Sequence, residues 1–293
     1  MANLKEIRTR IASVTTTRQV TSAMKMVSAA KLKKAQDLIL QIRPYADKLQ
    51  EILSSISSAL RNQEESIFTA PKEPNKVLIV VLSSNRGLCG AFNSNIVKKT
   101  IDHIEENYFL QYKRDDLHFL AIGKQGEKHL RSLNLRVIGE ENALLDNISF
   151  ENTTILTERL MDYFKAGKYD RIDIVYNQFK NAAVQILTAK QFLPIKPDEK
   201  RSNDIILLDY IFEPSKETII EELIPKSLKT QFYEVLLDSN AAEHGARMTA
   251  MHQATDNATS LIDDLKLTYN KARQAAITEE ILEITSGAEA LKG

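Results

Sequence analysis

Tryptophan is absent from this chain and cysteine occurs once, at Cys89. A lone cysteine has no partner in the sequence, so no internal disulfide framework or cysteine-based metal cluster can form, and a reduced, cytoplasmic setting is expected. Net charge is missing too. With 39 Lys and Arg against 39 Asp and Glu, nothing marks a generic nucleic-acid binder. The longest uncharged apolar run, Val77 to Asn85, falls far short of the roughly 18 residues of a membrane span, so no direct membrane insertion is expected. The opening MANLKEIRTRI carries Glu6 and alternating polar residues where a secretory signal has an apolar core, so export is not expected either.

Glycine and proline are scarce at both ends. From Met1 to Arg43 there is neither, and Pro44 is the only one before Pro71; the first sixty residues therefore read as long helix, kinked or broken near Pro44. Leu4, Ile7, Ile11 and Val14 step as a helix seam, and Arg18 and Thr21 fill its next slots with polar groups. Beyond Pro225, only Gly245 and Gly287 interrupt the run to Gly293. Such a helix would be on the order of 100 Å long and must pair with something, the N-terminal helix being the obvious candidate. Leu228, Phe232, Val235, Ala242 and Ala246 begin a seam; Ala246, Ala250, Ala254 and Ala258 continue it in fours, then Leu261, Leu265 and Ala272. Ile277, Ile281, Ile284, Ala288 and Leu291 make a last stripe out of phase with the rest, so the tip is expected to face a different partner.

The middle has another texture. Val77–Leu82 reads as a strand buried on both faces. A Gly-bearing turn, a helix from about Asn93 to Tyr112 and a strand at Leu117–Ile122 follow. Lys124–Ser132 and Thr153–Lys165 read as helices, Arg171–Asn177 and Ala182–Gln191 as strands. Alternating strand and helix predict an α/β, Rossmann-like domain with a mainly parallel sheet, inserted between the terminal helices. The expected division is 1–70, 71–215 and 216–293, with Glu64–Asn75 as linker.

Chemistry is harder to find. The turn SSNRGLCG, Ser83 to Gly90, stands where nucleotide folds put a phosphate cradle. It has neither the spacing nor the Lys of a phosphate loop, and no G-x-G-x-x-G. His103, His118 and His129 are dispersed, and His244 and His252 have no carboxylate at metal-ligand spacing. Nothing resembles G-x-S-x-G, and Cys89 reads as a small buried side chain. No catalytic, cofactor or metal site is expected. One charge feature stands out: Lys5, Arg8, Arg10, Arg18, Lys25, Lys31, Lys33 and Lys34 face a single acid, Glu6. An acidic protein surface is the expected counterpart, because the region has no aromatic residue for stacking on nucleic acid.

Three blocks together resemble one family, the gamma subunit or central shaft of F-type ATP synthases. They are IRTRIASVTTTRQVTSAMKMVSAAKLKKAQ, the turn SSNRGLCGAFN, and EHGARMTAMHQATDNATSLIDDL followed by YNKARQAAITEEILEITSGAEAL. The last fits the family's signature of Ile or Val, Thr, any residue, Glu, two residues, an acid, three residues and Gly-Ala, as Ile277, Thr278, Glu280, Glu283, Gly287 and Ala288. Asn85 stands where family turns often have Asp. With only Cys89, the chain resembles a bacterial member rather than a plastid one, which carries two regulatory cysteines.

The resemblance implies an antiparallel coiled coil of the two terminal helices standing inside a ring of alpha and beta subunits. It also implies contacts to an epsilon subunit and the membrane c-ring, and a peripheral place on the cytoplasmic side of the bacterial inner membrane. By similarity, Arg273, Gln274, Thr278 and Glu280 meet a beta-subunit loop. Met24 and Arg247, with Arg86 and Cys89 of the turn, lie near that subunit's moving acidic segment. Ile277, Ile281, Ile284 and Leu291 form an apolar bearing. The function implied is non-catalytic: rotation that couples proton translocation to ATP synthesis or hydrolysis in the beta subunits. The competing readings are a nucleotide-using α/β enzyme with helical dimerisation arms and a coiled-coil scaffold or nucleic-acid adapter.

Overall fold

Six consecutive aliphatic residues with no polar alternate need cover on both sides. Strand β1, Val77–Leu82, has it, with every side chain fully buried. The computed structural model, which describes residues 4–59, 68, 73–195 and 216–290, places β1 at the centre of a five-stranded sheet. The other strands are β2 (Leu117–Ile122), β3 (Val137–Glu140), β4 (Arg171–Phe179) and β5 (Gln185–Leu193), in the spatial order β3-β2-β1-β4-β5. The first four in that order run parallel and β5 is antiparallel to β4. The mainly parallel α/β sheet read from the sequence is there, with β3 added.

The helices are α1 (Leu4–Ala59), α2 (Phe92–Asn107), α3 (Phe109–Lys113), α4 (Lys124–Ser132), α5 (Phe150–Lys165) and α6 (Lys216–Ala290). Alternate residues of β1 feed two cores. Val77, Ile79 and Val81 meet Ile96, Ile104 and Tyr108 of α2 and its end, and Leu130 of α4. Leu78, Val80 and Leu82 belong to the core of Leu156, Leu160 and Phe164 of α5 and Leu228, Phe232 and Leu236 of α6. The lower part of the long C-terminal helix is thus also a layer of the α/β domain.

Several boundaries differ from the sequence reading. The helix expected over 93–112 ends at Asn107, and α3 starts anew after Tyr108, whose hydroxyl donates to the buried Asp173 carboxylate at 2.5 Å. Neither proline ends a helix: α1 continues through Pro44 and α6 already begins at Lys216, with Pro225 inside it. An interior proline removes one helical hydrogen bond and crowds the preceding turn, at about 3 kcal/mol. Burial of Ile39, Ala46 and Leu49 around Pro44, and of Ile224, Ser227 and Leu228 around Pro225, offsets that cost. Most of the expected linker Glu64–Asn75 lies outside the described residues.

The chain divides into two compact units, Ala29–Arg247, and Met1–Ser28 with Met248–Gly293. Within the first, Arg43 faces Glu234 and Asp238, and Lys226 lies over the ring of Tyr45, so α1 and α6 run antiparallel. Within the second they do so again. Arg8 donates to the Tyr269 hydroxyl at 3.0 Å, and the Thr21 and Thr255 hydroxyls meet at 2.9 Å. The seam of α6 here differs from the alanine row read from sequence: Met251, Ala258 and Ile262 are buried, while Leu261 is 40% exposed. With Thr255, Leu265, Tyr269 and Ala272 in the remaining slots, the seam keeps an unbroken alternation of fours and threes, a heptad. Continuing the register brings Leu4 opposite about Arg273, so no described residue of α1 accompanies α6 beyond that point.

Asp238 is buried beside Glu234, with Arg43 3.8 Å away, and among the described residues its Oδ1 has no hydrogen-bond partner. Burial first, then Glu234, push its carboxyl from an ordinary 3.8 up to about 7, against the pull of Arg43. The protonated acid therefore suits the fold, and that stability is full below about pH 4 and lost as pH rises through 7. Asp238→Asn is expected to be more stable than the parent at pH 8 by on the order of 2 kcal/mol, the advantage fading toward pH 4. Urea midpoints of both chains across that range measure this; a pH-independent difference would mean that Asp238 titrates alike in the folded and unfolded chains.

Candidate functional site

The turn after β1 is held from behind by hydroxyls and amides. The Ser84 N–H donates to Asn93 Oδ1 at 3.0 Å, its hydroxyl donates to the Arg86 carbonyl at 2.7 Å, and Asn93 Nδ2 donates back to Ser84 Oγ at 2.8 Å. Ser83 Oγ accepts from the Gly126 N–H at 2.8 Å and donates to the Gly123 carbonyl at 3.0 Å. That approach is so close that a Cβ on Gly123 or Gly126 would lie 2.5 Å from Ser83 Oγ; glycine is required at both. Asn85 donates to the Asn142 carbonyl at 2.9 Å and to Asp146, and accepts from the Lys124 N–H at 3.2 Å. An Asp here could not make the two donor bonds.

The fourth support comes from α6. Ala242 and Ala246 pack with Cys89, Phe92 and Phe179. A Cβ on Gly245 would sit 3.2 Å from Ala182 Cα. Arg247, 7% exposed, donates through Nη2 to the Arg86 carbonyl at 2.9 Å and the Gly87 carbonyl at 3.3 Å, through Nε to Gly87 again at 3.4 Å, and through Nη1 to Glu243 at 2.6 Å. His244 Nδ1 is 3.4 Å from Nη1. Burial, then Arg247 and Lys31, lower the His244 pKa to about 4, so the ring is neutral and can accept. Burial raises the Glu243 carboxyl against the pull of Arg247, Lys31 and Arg86.

This arrangement decides the fate of the nucleotide reading. Since β1 leads to β2 on one side and β4 lies on the other, the crevice between the carboxyl ends of β1 and β4 is the topological switch point, where open α/β sheets bind ligands. Here α6 fills it. The turn aims carbonyl oxygens at a guanidinium, whereas a phosphate cradle aims N–H groups at an anion. Charge and space both oppose a nucleotide.

The structure brings Arg86, Cys89 and Arg247 together. Arg86 is exposed, Cys89 is 1% exposed, and burial raises its thiol pKa, so it is a poor nucleophile. Met24 is half-buried on α1 in the other unit. In that unit Arg273, Gln274, Thr278 and Glu280 are all exposed, and Ile277, Ile281 and Ile284 are 49%, 55% and 65% exposed. Leu291 lies outside the described residues. Thr278 spends its hydroxyl on the Gln274 carbonyl at 2.9 Å. Sequence reasoning missed Ser84, Asn93, Glu243 and His244; the only signal for Glu243 was its place four residues before Arg247, one helical turn.

Comparison with known proteins agrees with this geometry. A family model described as ATP synthase matches residues 3–291. The ATP synthase gamma chain of Flavobacterium psychrophilum is 58% identical over the full length of both chains, and that of Cytophaga hutchinsonii is 52% identical over 99% of each. The chain belongs to the ATP synthase gamma chain family. A gamma chain is a subunit of the ATP synthase complex and is not catalytic by itself. Among solved structures, chains from the Euglena gracilis mitochondrial ATP synthase share the fold. One, from an OSCP/F1/c-ring assembly, has a TM-score of 0.69 at 22% identity, covering 98% of this chain and 94% of that one. Another, from the rotor, has a TM-score of 0.64 at 21% identity, covering 94% and 98%. Among the described residues no helix is long and apolar enough to cross a membrane.

Two outcomes are expected from the filled crevice. Gly245→Leu should destabilise the chain by about 2 kcal/mol, because a Cβ there already crowds Ala182 at 3.2 Å and a leucine overpacks the contact; an unchanged denaturation midpoint would mean that α6 is not seated there. Millimolar ATP should leave the melting temperature of the chain unmoved, whereas a ligand-dependent rise would reinstate a nucleotide site.

Proposed function

We propose that the chain is the rotating central shaft of its complex and acts on the catalytic beta subunits by contact alone. The observation that carries this reading is the end of α6 after Arg273. It continues as helix to Ala290 without α1 beside it, and its side chains are exposed almost throughout. Ile277, Ile281 and Ile284 step by four and three along one face, with Arg273 and Glu280 close to it. An exposed apolar stripe on an unaccompanied helix needs an enclosing surface. A sleeve formed by alpha and beta subunits supplies one.

A single helical shaft has no threefold symmetry, so it presents a different face to each of three otherwise equal beta subunits. Each contact then favours one conformation of its beta subunit by its differential affinity, a coupling of typically 1–3 kcal/mol. Such contacts must form and release on every turn, which suits exposed Arg273, Gln274, Thr278 and Glu280 at the tip, Met24 on α1, and exposed Arg86 on the turn, which buried Cys89 and Arg247 of α6 support from behind. The basic face of α1 is suited to an acidic beta-subunit segment, where charge-assisted bonds are directional yet water-accessible. The expected parts are coiled-coil helices over 1–70 and 216–293 and an α/β domain over 71–215. The domain meets the epsilon subunit and the membrane c-ring, peripherally, on the cytoplasmic side of the bacterial inner membrane. Proton flow through the c-ring would turn the shaft in synthesis, and ATP hydrolysis would reverse it.

Replacing Arg273 and Gln274 together with Ala is expected to lower ATP hydrolysis by the complex with alpha and beta subunits about tenfold, the equivalent of roughly 1.4 kcal/mol of lost coupling. Circular dichroism of the chain and its assembly with the ring should not change. Unaltered activity in a fully assembled complex would remove these residues from the mechanism.

A further inference from the structure

We propose that Arg247 is a positioning residue of the shaft: it holds the Asn85–Leu88 turn to α6, so that turn and helix move as one piece, and it does not itself reach a partner subunit. This rests on the shaft reading above. A guanidinium has five N–H donors, and every one is accounted for inside the chain: Nε by the Gly87 carbonyl, Nη2 by the carbonyls of Arg86 and Gly87, and Nη1 by Glu243 and His244. At 7% exposure the group has neither a free donor nor an open side for a second molecule. What faces outward is the turn it grips. A Cβ on Gly87 would meet nothing within 4 Å, Arg86 is exposed, and Leu88 is 64% exposed.

The backbone shows that the turn needs holding. Leu88 sits at φ 62, the left-handed region that a leucine avoids. Such a conformation persists where the surroundings over-determine it. The bonds of Arg247 to the two preceding carbonyls, with Ser84 bonded to the first of them, supply that constraint. Only a planar fork spans two carbonyls and a carboxylate together, so lysine, a point charge on a flexible stem, cannot replace it. Cys89, packed beneath the turn with Ala242 and Phe92, is a built-in reporter of whether the turn is seated.

The test uses the full chain assembled with its alpha and beta subunits, and reads two quantities: the rate at which a maleimide modifies Cys89, and protons pumped per ATP in the complete enzyme. Arg247→Lys is expected to raise the Cys89 rate about tenfold, through local opening of the turn, and to lower pumping. Arg247→Ala would strand the buried Glu243 carboxylate, so the paired change Glu243→Gln with Arg247→Gln is the second variant, with the same expectation. Arg86→Ala keeps the carbonyl and trims only the outward side chain; it should lower activity while leaving the Cys89 rate unchanged. If both Arg247 variants lose pumping with an unchanged Cys89 rate, Arg247 works by direct contact and the proposal is overturned. If neither quantity moves, it is overturned as well. Failure of the shaft reading looks different: the parent chain would not join the ring at all.

Discussion

Helix α6 is asked to belong to two structures at once, and most of the Ala29–Arg247 unit follows from how it manages that. One face carries Leu228, Phe232 and Leu236 into the core shared with β1 and α5. Further along, the face of the same helix that crosses the carboxyl ends of the strands carries small residues, Ala242, Gly245 and Ala246. The change from large to small is a change of job. Large apolar side chains fill the space over a sheet, at about 25 cal/mol for each Å² removed from water. Small ones let two backbones approach, as they do where Gly245 meets Ala182. The result occupies the crevice in which a sheet of this topology would hold a ligand, and converts a binding fold into a mount for a helix.

Polar and charged groups are interleaved with these small residues. Glu243, His244 and Arg247 are all buried, and a buried ion pair contributes little net stability, because desolvation of both ions cancels most of their attraction. Such groups define geometry instead. The guanidinium fixes the turn in one place, and the neutral imidazole accepts a bond that a protonated one could not. The Arg43, Glu234 and Asp238 cluster is a looser relative: two carboxylates near one cation at 3.8 and 3.9 Å. It leaves Asp238 close to half protonated near neutrality, so this joint of α1 and α6 holds a group whose charge is undecided where most carboxylates are settled.

Much of the fold could be read from sequence where burial leaves a plain pattern. Runs such as Val77–Leu82 and Leu117–Ile122 admit no exposed face, and their bounds are found as expected. Strand β3 was invisible: four residues alternating between half-buried and exposed, with a glycine, carry too little signal. The break allowed for near Pro44 does not occur, because a local rule is outweighed by packing between helices, whereas the expected start of the last helix at 216 is where α6 begins. The alanine row of α6 misled for a subtler reason. Thr255 and Tyr269 occupy seam slots as hydroxyl-bearing residues, and only their partners, Thr21 and Arg8, reveal that they belong there. At the turn, the residues that position it, Ser84, Asn93, Glu243 and His244, act through contacts between segments far apart in sequence, which no spacing encodes.

The segment of α6 after Arg273 has a further property. An isolated helix of that length is marginal in water, because forming its first turn fixes several residues for one hydrogen bond. Here the first turn already exists, in the paired stretch that carries Ala258, Ile262 and Tyr269, so the extension has only to propagate. Propagation is weakest where β-branched residues and Gly287 gather, toward the end. Helical order is thus lent from the coiled coil outward and diminishes with distance from it. The tip is stiff where it leaves its partner helix, and an enclosing surface would have most to contribute at the far end.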